Sequence, residues 1–237
     1  MHNNVQSNIL ADGNRLHLNH GPIDLIIEAF GETKTVQYAY EKATNKFNNV
    51  LTDLVPELSI LRSPISQHRD TLKSPVGLRM QNAVQLFYPT FVTPMAAVAG
   101  SIADYMLKIL CEGNKLSKAY VNNGGDIAIY LDHHEVFNIG IITNLKTRAI
   151  AGTVSISKKD AINGIATSGW HGRSHSFGIA DAVTVLAPNA AQADTAATLI
   201  ANAVDLPGST LIKKMPAKEL FPCLLYTSDA ADDTPCV

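Results

Sequence analysis

Charge is scarce in this chain. Only 17% of its 237 residues are Asp, Glu, Lys or Arg, and the formal net charge is −2. A dedicated nucleic-acid binder concentrates Lys and Arg into a basic stripe, so that class is excluded. Cysteine is scarcer still, with three residues at 111, 223 and 236. No run reaches the roughly 18 apolar residues that a membrane span needs. The opening MHNNVQSNILADGN lacks the charged-then-apolar pattern of a secretory signal. The expectation from these absences is a soluble, cytoplasmic protein with neither nucleic acid nor membrane as partner. There is also no internal repeat and no low-complexity segment.

What is present is apolar bulk. A hydrophobic content of 46% over this length suits one medium domain or two small ones. The segment 223–233, CLLYTSDAADD, resembles the in-frame translation of a sequencing-library adapter. The expectation is a single domain over residues 1–222, truncated at its C-terminus, followed by an artefactual tail over 223–237. That leaves Cys111, a buried structural thiol in an apolar helix, and one cysteine builds neither a disulfide nor a cysteine–zinc site.

Residues 14–30 read as two short strands joined by the His20-Gly21-Pro22 turn. Residues 33–61 look helical, with apolar positions at Val36, Tyr40, Ala43, Phe47, Val50, Leu51 and Leu54, and Pro56 bends or ends the element. A polar connection with Ser63-Pro64 and Ser74-Pro75 follows. The next helix is capped by Thr93, has Pro94 in its first turn and ends before Gly113. It is apolar nearly all round at its start, which marks burial. Alternating strands flank Asn122-Asn123-Gly124-Gly125-Asp126, and two more lie at 137–143 and 149–157. Residues 182–187 read as a strand buried on both faces. Asn189 and Gln192 form a capping box before a helix from Ala190 to about Ala203. The alternation is irregular and includes hairpins, so the expected fold is α+β with a largely antiparallel sheet and packed helices.

Chemistry can sit in five places. Asp194 and Thr198 are one helical turn apart, so their oxygens share a face. Such ligands suit a hard cation such as Mg²⁺. The plainer alternative is a solvated acid and an ordinary helix threonine. Gly124 and Gly125 let backbone approach a cofactor, although Asn-Gly between apolar runs is also a hairpin signal. Thr167, Ser168 and Gly169 form a turn able to hold a phosphate, or an ordinary Ser-Gly turn. In the loop His171–His175, Arg173 offers a planar fork of donors and either histidine can shuttle a proton. The acid Asp104, on the same face as Gly100, needs a partner or a cation if it is buried. Asp132-His133-His134-Glu135 is read as a solvated turn rather than a metal cluster.

Three stretches carry a resemblance: FVTPMAAVAGSIADYM, AYVNNGGDIAIYL, and GIATSGWHGRSHSFGIADAVTVLAP with its QADTAAT extension. In order and spacing they resemble the ApbE-like superfamily of FAD:protein FMN transferases, and more closely its UPF0280 branch, over residues 14 to 208. The resemblance implies flavin-nucleotide contacts from Asn122, Gly124 and Gly125 and from the turn Thr167, Ser168 and Gly169. It implies Mg²⁺ ligands at Asp194 and Thr198. FAD would be the substrate or ligand, with an acceptor protein as a further partner. Arg173 would position phosphates, and His175 would deprotonate the acceptor hydroxyl. The transferases' lysine-glycine step is Ala99-Gly100 here, and their His-Ile-Ile-Asp-Pro signature is absent, with His175 and Asp181 in that region at another spacing. A non-catalytic flavin- or nucleotide-binding protein, or an enzyme of the same fold acting on another small molecule, are the alternatives.

Overall fold

In the computed structural model the described residues are 5–68, 71–144, 149–170 and 176–213. The chain starts with three strands, β1 (Gln6–Ile9), β2 (Leu16–His20) and β3 (Ile23–Gly31). Strict alternation in LHLNH and IDLIIEAFG puts Leu16, Leu18, Ile23, Leu25 and Ile27 on one buried face. Gly21, at φ +59°, makes the turn between β2 and β3. Helix α1 (Thr33–Phe47) buries Tyr40, Ala43 and Phe47 on one stripe. The Tyr40 hydroxyl ties it to the sheet, accepting from Ala29 N at 3.1 Å and donating to Asn14 O at 2.6 Å. The expected helical stretch then breaks into α2 (Val50–Leu54), a 3₁₀ turn at Val55–Glu57 containing Pro56, and α3 (Leu58–Leu61).

Residues 75–85 differ from the expected polar connection: they form α4 (Pro75–Gln85). Ser74 accepts from Gly77 N at 2.9 Å as the cap, and Pro75 takes the first helical position. Glu57 braces this start by accepting from Lys73 N and Ser74 N. The following helix also departs from expectation. A 3₁₀ segment, Pro94–Ala97, precedes α5 (Val98–Cys111), and Thr93 flanks it without a side-chain cap bond. Pro94–Cys111 is, by length and composition, apolar enough to cross a bilayer, at 18 residues and mean hydropathy 1.3. The stretch includes Asp104 and Lys108, so it is not an unbroken apolar run. Most of this stretch is buried within the fold, which accounts for its apolar character without a bilayer.

Strands β4 (Leu116–Asn123) and β5 (Asp126–Leu131) form a hairpin whose two turn residues, Gly124 and Gly125, both have positive φ. Tight two-residue hairpin turns require that conformation, and glycine adopts it without steric cost. A long ribbon follows, β6 (Val136–Asn144) with β7 (Ala149–Ser157). Then come β8 (Gly164–Ser168), β9 (Val183–Ala187) and α6 (Ala190–Ala203). Seven strands make one sheet in the order β1-β2-β3-β4-β5-β8-β9, and neighbouring strands among the described residues pair antiparallel. The fold is α+β with a largely antiparallel sheet, as expected.

The main core lies between one sheet face and the helices. The β6–β7 ribbon covers part of the other face, over Ile129, Leu131 and Ile165. A small alanine cluster, Ala166, Ala193 and Ala197, joins α6 to β8. β9 is not buried on both faces: it ends the strand order, and Thr184 and Leu186 are exposed. Among the described residues α6 covers its other face, through Val185 and Ala187.

Candidate functional site

Four elements meet at the start of α5. Asn123, the last residue of β4, is buried, and its Nδ2 donates to Ala99 O at 3.2 Å. The next amide, Gly100 N, donates to Asp194 Oδ2 on α6 at 2.9 Å. Asp104, one turn further along α5, accepts from Ala190 N at 3.0 Å and from Ala191 N at 2.9 Å. Each helix start is therefore closed by a carboxylate from the other helix. Four N-terminal amides lack partners inside a helix, and the partial positive charge there favours an anion. Asn189 completes the α6 start by accepting from Gln192 N at 2.9 Å.

This contact is close because side chains are missing where the backbones meet. A Cβ on Gly100 would lie 2.5 Å from Ala190 C and 2.8 Å from Ala191 N. One on Gly164 would collide with the backbone of Asn189 and Ala190. The partner that Asp104 needed is supplied by the α6 N-terminus. Burial pushes its carboxyl above the ordinary range, against the opposing effect of the Ala191 and Ala190 amides and the Arg79 charge.

Asp194 is half-buried and Thr198 is buried one turn later. Thr195 turns its hydroxyl back onto Ala191 O at 2.9 Å. Thr198 makes no such bond among the described residues. A carboxylate and a hydroxyl on one helical face are hard oxygen donors, and that donor set fits Mg²⁺, which keeps waters and substrate oxygens as its other ligands. No cluster of three or more His, Cys, Asp or Glu able to hold a metal exists among the described residues. The Asp132–Glu135 stretch is a turn, with Asp132 and Glu135 within reach of Lys158 and Lys118.

The remaining expected residues are placed unevenly. Gly124 and Gly125 sit next to Asn123, beside this junction. Asn122 alternates to the other sheet face, and its Oδ1 accepts from Gly125 N at 2.9 Å, closing the turn. Asn123, which sequence reasoning passed over, is the asparagine that faces α5. Ser168 shares the α6 side with Ala166, whereas Thr167 lies opposite and meets Thr184 Oγ1 at 2.9 Å. Gly169 is buried where a Cβ would strike the Asp181 backbone. Arg173 and His175, with His171, lie outside the described residues.

A family model described as AbpE bacteria matches residues 7–225. A UPF0280 protein of Methanothrix thermoacetophila is 40% identical over 134 residues, 55% of this chain and 52% of that protein. One from Methanococcus vannielii is 41% identical over 134 residues, 54% of this chain and 52% of its own length. The chain thus matches about half the length of these relatives. The solved structure of an ApbE protein from Thermotoga maritima is similar at a TM-score of 0.41 and 12% identity, over 84% of this chain and 88% of that one. With the family match running over nearly its whole length, this chain belongs to the AbpE bacteria family.

Proposed function

We propose that the chain is an Mg²⁺-dependent transferase acting on a flavin nucleotide, of the FAD:protein FMN transferase type. The observation that supports this best is the junction itself. The twin-glycine turn, the α5 start and the Asp194–Thr198 face are joined by Asn123–Ala99 and Gly100–Asp194 hydrogen bonds. Asp194 and Thr198 would hold Mg²⁺. When bound there, the ion would polarise a pyrophosphate and neutralise charge on the departing AMP. The chain's own part is orientation. Gly100 N fixes the Asp194 carboxylate, and the side-chain-free turn leaves room for close approach of a ligand to the backbone. Arg173 would position phosphate oxygens, and His175 would accept the proton of the acceptor hydroxyl as its oxygen bonds to phosphorus and the bond to AMP breaks.

A second reading is a flavin- or nucleotide-binding protein without transfer. Two observations favour it: Ala99 replaces the transferases' lysine, and the Gly100 amide is already engaged by Asp194. The two readings separate in one experiment. The protein is incubated with FAD and Mg²⁺, and both AMP release and bound flavin fluorescence are followed. Transfer predicts AMP release that Asp194→Ala abolishes and Thr198→Val lowers by about tenfold or more. Bound flavin without AMP supports the second reading, and no bound flavin removes both.

A further inference from the structure

We infer that Asp104 is a positioning residue for Asp194, and that it acts by fixing where α6 begins relative to α5. This rests on the proposed cation site. The two aspartates form a reciprocal pair: Asp104 of α5 holds Ala190 N and Ala191 N of α6, and Asp194 of α6 holds Gly100 N of α5. Asn189, the cap within the α6 strand-to-helix turn, serves Gln192 N alone, so the Ala190 and Ala191 amides depend on the Asp104 carboxylate. A cap from α6's own chain would satisfy amides without setting the distance between the helices. A carboxylate on α5 does both.

Ala190 and Asp194 are separated by one helical turn, about 6 Å along the axis. A displacement of the first turn therefore carries Asp194 with it. The Gly100–Ala190 contact leaves no slack for the two backbones to move closer. Asp104 thus sets the position from which Asp194, with Thr198, presents its oxygens. It touches neither ligand nor cation. Outer residues that orient metal ligands typically change affinity by about 10–100-fold when altered.

The test uses the full chain and the Asp104→Asn variant, which keeps shape and one acceptor oxygen. Two quantities are read. Hydrogen exchange of the Gly100 amide, followed by NMR, reports the Asp194 contact without any metal. Mn²⁺ titration followed by electron paramagnetic resonance reports the cation site. Asp104→Asn is expected to speed Gly100 exchange at least about tenfold beyond any change in the α1 amides, and to weaken Mn²⁺ by about 10–100-fold. Tyr40→Phe, which loosens α1 away from the junction, should move neither quantity beyond its global destabilisation. If Asp104→Asn does not fold, Asp104→Glu, with its charge kept and its arm lengthened, is read in the same way. Gly100 exchange that changes no more than the α1 amides overturns the inference, as does unchanged Mn²⁺ affinity. Absence of Mn²⁺ binding by the parent protein overturns the proposed cation site instead, while Gly100 exchange still decides whether Asp104 holds Asp194.

Discussion

Gly100→Ala tests the helix junction with a single methyl group. The added carbon would stand 2.5 Å from Ala190 C and 2.8 Å from Ala191 N, and closer still to Ala190 O. All three are backbone atoms at a helix start, so no rotamer change relieves the overlap. Ordinary carbon contacts lie at about 3.5–4.0 Å, so the two helix starts must part by about 1 Å. Three hydrogen bonds cross that gap, at 2.9, 3.0 and 2.9 Å. Stretched by about 1 Å they pass the distance at which such bonds count. Each bond to a charged acceptor contributes about 1.5–3 kcal/mol, and overpacking alone costs about 1–3 kcal/mol. Some bonds will re-form at new angles, so the expected loss is about 3–5 kcal/mol, a large part of a typical domain's stability. Urea unfolding followed by circular dichroism measures it. Gly152→Ala is the control, because a Cβ there meets nothing within 4 Å. It should stay within about 0.5 kcal/mol of the parent. A Gly100→Ala loss below about 1 kcal/mol would refute the packing argument, since the helices would then separate at no cost.

Tyr40→Phe leaves Ala29 N without the hydroxyl that accepts its hydrogen at 3.1 Å, in a buried stretch of β3. It should cost about 1–3 kcal/mol in the same urea assay, and a neutral result would refute the role of this hydrogen bond in holding β3 to α1. Acid should weaken the fold in a defined window. Asp12 is held down to about 2 by the Asn14 and Arg15 amides and the Arg15 side chain. Burial would raise Glu57, but the Ser74 hydroxyl and the Lys73 and Ser74 amides hold it below its ordinary value, and Ser157 does the same for Asp160. Carboxyls depressed by folding contribute stability above their unfolded pKa and lose it as pH falls through the folded value. The urea midpoint should therefore drop from about pH 4.5 towards about pH 2. Asp12→Asn should flatten the lower part of that profile, and an unchanged profile would remove Asp12 from the account.

Local signals were legible in the sequence where local chemistry decides the structure. Asn189 before Ala190-Ala191-Gln192 marks the α6 start, and the twin glycines mark the β4–β5 turn. The same chemistry was present at Ser74-Pro75, a cap followed by proline at the first helical position. Its meaning was hidden by the polar surroundings, although Val76, Met80, Ala83 and Val84 form the buried stripe of α4. Strand β9 shows the opposite limit. An uncharged Val183–Ala187 reads alike in the middle of a sheet and at its end, and only the strand order distinguishes the two. Asn123 was available by parity. Ala119, Val121 and Asn123 alternate as buried positions of β4, so the second asparagine, not the first, follows the apolar face. The Asp104 partners lie 86 and 87 residues away, beyond any local pattern.

The same geometry decides which substitution speaks about function. Asp194 has two roles in the proposed site, as a helix cap for α5 and as a cation ligand. Removing its carboxylate takes away the acceptor for Gly100 N, so Asp194→Ala loses capping, about 0.5–2 kcal/mol, together with any ligand. A fall in AMP release or flavin binding in that variant has two physical causes. Thr198 does not carry this ambiguity. Its hydroxyl makes no hydrogen bond among the described residues, and valine keeps its branched shape in a buried helical position. Thr198→Val should therefore keep the urea midpoint and lower AMP release and Mn²⁺ affinity together. A variant that keeps full activity and affinity would leave Asp194 as a cap alone, and the oxygen pair on α6 would be structural.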